Sequence, residues 1–130
     1  MSALVVWMDS HEAKILHLTP QGTEDIHFKS HGHQHSQEVH GKNHLQKQTD
    51  EGRFYHELAT QLGQIDAQEW LVTGPGLAQE HFQAHLAEHH PQLAQRIVGV
   101  TKSDHPTRGQ LLQEARKFFK HLDLFGPEQG

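Results

Sequence analysis

Cysteine is absent from the 130 residues, which excludes disulfides, thiolate metal sites, iron–sulfur clusters and cysteine nucleophiles. Apolar residues reach only 34% and aromatic residues 7%, so the chain has material for one modest core and is too short for two domains. No run approaches the roughly 20 apolar residues that span a bilayer. Met1-Ser2-Ala3-Leu4 sets no basic stretch ahead of the first apolar run, unlike a secretory signal. Positive charge is scarce as well: 11 Lys and Arg stand against 16 Asp and Glu, a formal charge of −5. Generic polyanion binding at neutral pH needs clustered fixed cations and is not expected. The exclusions leave a soluble, cytoplasmic single domain with no membrane association.

What the chain has in excess is histidine, with 15 residues. Full protonation would swing the formal charge from −5 to +10, one unit per imidazole, around a reference pKa of about 6.5. Such richness points to metal binding, pH response or RNA contact.

The apolar run Leu4–Met8 has the length and β-branched content of a buried strand. After the polar turn Asp9-Ser10-His11-Glu12, residues 13–18 read as a second strand paired back on the first. The turn Thr19-Pro20-Gln21-Gly22 leads to a half-exposed third strand over 23–28. Residues 30–49 show neither helical nor strand period and almost no apolar side chains, the composition of a long loop. Asp50 is positioned to cap a helix through Phe54, Leu58 and Leu62, ending near Gly63. Strand 4 covers Glu69–Thr73 and closes on Gly74-Pro75-Gly76. A second helix over 77–90 turns Leu77, Phe82 and Leu86 inward, with His85 on or near that face, and Pro91 lies just beyond it. Strand 5 is Arg96–Val100. Ser103-Asp104-His105-Pro106 opens a last helix, capped by Asp104, with Leu111, Leu112, Ala115, Phe118 and Phe119 as its stripe.

Helical crossovers make strands 1, 4 and 5 parallel, and strands 2 and 3 add antiparallel on one side. The predicted architecture is α/β: a mixed five-stranded sheet of order 3-2-1-4-5, ribonuclease H-like in topology, with three helices. One domain spans 1–122, with the His-rich loop at 30–49 and a tail over 123–130. Strands 3 and 5 form the sheet edges, where two copies could pair; oligomeric state is left open.

Taken together, Val5-Val6-Trp7-Met8-Asp9 followed by Glu12-Ala13-Lys14-Ile15, then Gly74-Pro75-Gly76 before a helix, then Asp104-His105-Pro106-Thr107 with Gly109-Gln110-Leu111 resemble a bacterial group of translational machinery proteins. That group is similar to the middle domain of archaeal and eukaryotic peptide-chain release factors and their ribosome-rescue relatives. The resemblance covers nearly the whole chain and implies their fold and contact with ribosome or tRNA. In release factors the loop between the third strand and first helix carries Gly-Gly-Gln, which promotes peptide release; no Gly-Gly-Gln occurs here. Peptide release is therefore not implied.

Three groups of residues are candidates for function. In the loop, His31, His33, His35, His40 and His44 are potential Zn or Ni ligands. The same histidines, with Gln34, Gln37, Lys42 and Arg53, are potential RNA or partner contacts by stacking and phosphate pairing, alongside Lys29 and Lys47. The second group is the crevice at the carboxyl ends of the parallel strands, formed by Asp9, His11, Gly74, Gly76, Asp104 and His105. A two-metal nuclease would need further converging carboxylates, and no acid follows strand 4. The third is His81, His85 and His89, spaced i, i+4, i+8 on one helix, which also reads as a solvated polar face. The reading favours a non-enzymatic, translation-associated accessory protein that touches ribosome, tRNA or a translation partner through the His-rich loop. A histidine-rich Zn- or Ni-binding protein is the alternative, and a metal-dependent nuclease the third reading.

Overall fold

A computed structural model describes residues 2–29 and 43–125, with side chains at 2–29 and 51–123. Five strands, β1 (Ala3–Met8), β2 (Glu12–Thr19), β3 (Gly22–Lys29), β4 (Glu69–Gly74) and β5 (Ile97–Lys102), form one sheet of order β3-β2-β1-β4-β5. The helices are α1 (Asn43–Gly63), α2 (Ala78–His89), the short α3 (Pro91–Ala94) and α4 (Arg108–Phe125). β1 runs parallel to β4, and β4 to β5, while β1–β2 and β2–β3 are antiparallel. This is the predicted strand order and α/β class.

β1 reads as continuous apolar sequence because both of its faces are covered. Leu4, Val6 and Met8 pack with Phe54, Tyr55, Leu58 and Leu62 of α1 and Phe82 and Leu86 of α2. Val5 and Trp7 turn the other way, onto Leu16, Leu71 and the Leu111 and Ala115 of α4. Burying each large apolar side chain stabilises the fold by about 1.5–3 kcal/mol, so this central strand holds the two helical layers together. β3 and β5 are the sheet edges. β3 carries exposed Glu24, Asp25 and Lys29, charges that discourage edge-to-edge pairing. Asp25 also receives a two-point hydrogen bond from Arg108, Nε to Oδ2 at 2.6 Å and Nη2 to Oδ1 at 2.9 Å. That pairing ties the sheet edge to the start of α4 and holds the Asp25 carboxyl below the usual carboxylate range.

Several boundaries differ from the sequence reading. The loop expected to reach Thr49, with a helix capped by Asp50, is shorter: α1 already begins at Asn43. Once the buried stripe of Phe54, Leu58 and Leu62 nucleates the helix, each added residue costs little, and Leu45, Gln46, Lys47 and Gln48 are good helix formers. Leu77, expected on the inner face of α2, is exposed, and the buried polar Gln79 takes a place beneath the helix instead. Beyond α2, Pro91 opens the extra turn α3, since proline suits a first helical position. A fourth helical segment thus joins the three expected.

β5 starts one residue late, at Ile97, next to a register shift in its pairing with β4 between Trp70 and Leu71. The Arg96 carbonyl accepts the Trp70 N–H at 2.7 Å and its guanidinium reaches the Ala67 carbonyl at 3.3 Å. The last helix is not capped by Asp104. Thr107 and Gln110 form a reciprocal capping box, Gln110 N–H to Thr107 Oγ1 at 3.1 Å and Thr107 N–H to Gln110 Oε1 at 2.9 Å. α4 then runs on to Phe125, into the stretch expected to be tail. Among the described residues no helix is long and apolar enough to cross a membrane.

Tyr55 gives a test of the α1 layer. Its side chain is buried, and its hydroxyl has no hydrogen-bond partner among the described residues. Burial, helped by the charge of Glu51, pushes the phenol pKa up to about 12, against about 10 in an unfolded chain. The folded state therefore holds this proton more tightly, so the stability it contributes is complete below pH of about 10 and is lost as pH rises toward about 12. Tyr55→Phe is expected to leave stability equal or higher near neutrality and to remove that part of the alkaline loss. Urea midpoints at pH of about 9 and 11 check it; parallel alkaline losses in both proteins would refute the assignment.

Candidate functional site

The topology brings one end of the sheet into focus. β3 is antiparallel to β2, and β2 to β1, so the carboxyl ends of β1, β3, β4 and β5 all lie along the same edge. Lys29, at the end of β3, pairs with Glu12 beside the β1–β2 turn. Lys29 therefore ends β3 at the edge where the crevice residues gather, and the described chain resumes at Asn43 with α1.

At this edge the structure uses the predicted crevice residues to build loops. Asp9 Oδ1 accepts the N–H groups of His11 at 2.8 Å and Glu12 at 2.9 Å, an Asx turn that tightens the β1–β2 connection. The Trp7 indole N–H donates to the Asp104 carbonyl at 2.9 Å, and the His105 ring leans on Trp7 with centroids 5.3 Å apart. The Asp104 carboxylate meets His105 Nδ1 at 3.2 Å. Thr73 and Ser103 hydroxyls share a hydrogen bond of 2.9 Å, and the Gly74 carbonyl accepts the Ser103 N–H and the Gln79 amide. Gly74 is glycine because Met8 of β1 and Gln79 of α2 close on it; Gly76 faces open space. Asp9 and Asp104 join no cluster of three potential metal ligands among the described residues; the Asp9 carboxylate is engaged in its turn, and that of Asp104 is exposed beside His105. The carboxylate convergence that a two-metal nuclease needs is not found there among the described residues.

Of the loop candidates, His31, His33, Gln34, His35, Gln37, His40 and Lys42 lie outside the described residues. His44 sits in the first turn of α1, by its backbone, and Arg53 is exposed on that helix.

The ligand cluster that the described residues do form is elsewhere, between α1 and the α2–α3 junction. His56, His85 and His90 each offer a ring nitrogen, all within 4.8 Å of one another. His56 Nδ1 and His90 Nε2 are 3.1 Å apart, and the His85 and His89 rings have centroids 4.6 Å apart. Of the predicted trio on α2, His85 belongs to this group; His89 only rests its ring on His85, and both His81 and His89 are exposed. Burial and the neighbouring His89, His90 and His56 lower the His85 pKa, with Glu88 opposing; burial, His56 and His89 lower that of His90. Sequence reasoning missed His56 and His90. The available signal was Pro91, which disfavours helical backbone at the residue before it: His90 has φ −140° and ψ 63°, ending α2 and turning the chain back toward α1.

No protein-family model matches the chain. A pelota homologue of Methanocaldococcus jannaschii is 32% identical over 102 residues, 73% of this chain and 26% of the relative. The chain thus spans about a quarter of the length of that relative. Among solved structures, the Pelota of Archaeoglobus fulgidus superposes with a TM-score of 0.63 at 18% identity, covering 89% of this chain and 31% of that one. An archaeal translation termination factor gives 0.61 at 12% identity, covering 95% and 41%. A model of ribosome-bound archaeal Pelota and ABCE1 gives 0.55 at 18% identity, covering 98% and 40%. The five-stranded sheet and its helices are therefore the fold shared with those pelota and termination-factor chains, here with a histidine-rich segment of sequence between β3 and α1.

Proposed function

We propose that this chain is a translation-associated protein that binds the ribosome through the sheet edge bearing segment 30–42. The carrying observation is the sequence similarity to a pelota homologue over 73% of the chain, in keeping with the shared fold and with the ribosome-bound state of one Pelota of that fold. The contact is assigned to His31, His33, Gln34, His35, Gln37, His40, Lys42 and His44, flanked by exposed Lys29 and Arg53. Imidazoles stack on unpaired bases, and the cations meet phosphates. Without Gly-Gly-Gln, the protein is assigned binding without peptide release.

Co-sedimentation with ribosomal subunits tests this reading. The intact chain is expected in the ribosomal fractions, with association falling by about tenfold or more when salt rises fourfold, as released counterions require for a few phosphate contacts. A variant with residues 31–42 replaced by a Gly-Ser linker of equal length should lose association. Failure of the intact chain to co-sediment overturns the reading; undiminished binding by the linker variant removes the segment from it.

A further inference from the structure

We propose that His56, His85 and His90 form a three-imidazole site for a divalent transition metal, with zinc as its probe and water in the fourth position. It is independent of the ribosomal reading, since it lies between α1 and the α2–α3 junction and uses no residue of segment 30–42.

The geometry is nearly assembled. In a tetrahedral zinc site with Zn–N of about 2.0–2.1 Å, ligand nitrogens lie about 3.3 Å apart. His56 Nδ1 and His90 Nε2 are already 3.1 Å apart, and all three ligand nitrogens fall within 4.8 Å. Small side-chain rotations close the rest.

The backbone under the site is fixed. The His90 N–H donates to the Leu86 carbonyl at 2.7 Å, and the His90 carbonyl accepts the N–H groups of Leu93 and Ala94. His56 and His85 stand on helices anchored by buried Tyr55, Ala59, Phe82 and Leu86.

The group also carries an unmet polar need. One N–H···N hydrogen bond accounts for His56 and His90, but His85 Nε2 is buried with no partner among the described residues. A buried nitrogen without a partner is costly. The donor set decides the class of cation: three nitrogens and no carboxylate suit zinc, nickel or copper, and exclude the oxygen-seeking calcium and magnesium.

The test must separate this site from the histidines of the segment. In a full-length variant with His31, His33, His35, His40 and His44 all replaced by Asn, calorimetry at pH of about 7.5 is expected to show one zinc bound with a Kd of about 1 μM or tighter. Zinc should also raise its Tm, because the metal binds the folded arrangement alone. Adding His56→Ala, at an exposed position, should weaken zinc by about tenfold or more and abolish the Tm rise. His90→Ala on the same background should repeat this, and circular dichroism reports whether each variant folds. Zinc binding weaker than about 100 μM in the five-site variant, or retention of affinity within tenfold in folded His56→Ala, overturns the site.

Discussion

Gly74→Ala is expected to destabilise the protein by about 3 kcal/mol or more, near the upper end for a single methyl group. An added Cβ would lie 2.1 Å from the Met8 carbonyl oxygen and 2.8 Å from Gln79 Oε1. The first of these is backbone on the central strand, so no rotamer change relieves it. Either β1 and β4 must part, or the end of β4 must lift away from α2. Lifting would also disturb the Gly74 carbonyl, which holds both the Ser103 N–H and the Gln79 amide. Two other glycines set the scale. At Gly99 the obstruction is the Phe118 ring, 2.5 Å away and on a partly buried side chain, so the ring can shift and about 1–2 kcal/mol is expected. At Gly76 nothing lies within 4 Å, and substitution should stay within about 0.5 kcal/mol. Urea unfolding of the three variants checks the ranking; a mild Gly74→Ala would mean that β1 and β4 do not approach so closely.

Trp70→Ala should cost about 3–5 kcal/mol, a large part of the roughly 5–15 kcal/mol that stabilises an ordinary domain. Trp70 is fully buried in the α1–α2 side of the core. Its indole N–H donates to the Ala67 carbonyl at 3.1 Å, and the Arg96 guanidinium lies 5.8 Å from the ring centroid. Truncation opens a cavity and removes the surface against which Arg96 rests. Trp70→Phe keeps most of the apolar volume and loses the N–H, so it should cost about 1–2 kcal/mol. If both variants lose less than about 1 kcal/mol, the ring is not the core element described.

The two variants also mark how differently parts of this fold were legible. The sheet was readable because its strands carry local signals: the apolar run Leu4–Met8, the glycine–proline stop after strand 4, and short polar turns. The crevice residues lie at or just past the carboxyl ends of β1, β4 and β5, since strand direction follows from connection length. Their roles were less legible, because a carboxylate that satisfies a turn and one that awaits a ligand look alike in sequence. Asp9 is of the first kind. The exposed Asp104 carboxylate meets the His105 ring and accepts no turn N–H among the described residues, and the cap of α4 lies at Thr107.

By itself the amino-acid sequence determined the order of elements, the strand order of the sheet, the lack of thiol chemistry and the abundance of imidazole. Those properties follow from composition, from local strand and turn signals, and from the rules that connection length imposes on strand direction. The meeting of His56, His85 and His90 was decided only by tertiary structure. His56 and His90 are 34 residues apart, and they meet because α1 and α2 pack on the same face of the sheet while Pro91 breaks the helix at His90. Long-range packing of that kind leaves no periodic trace, since it depends on how two helices distant in sequence settle on a shared surface.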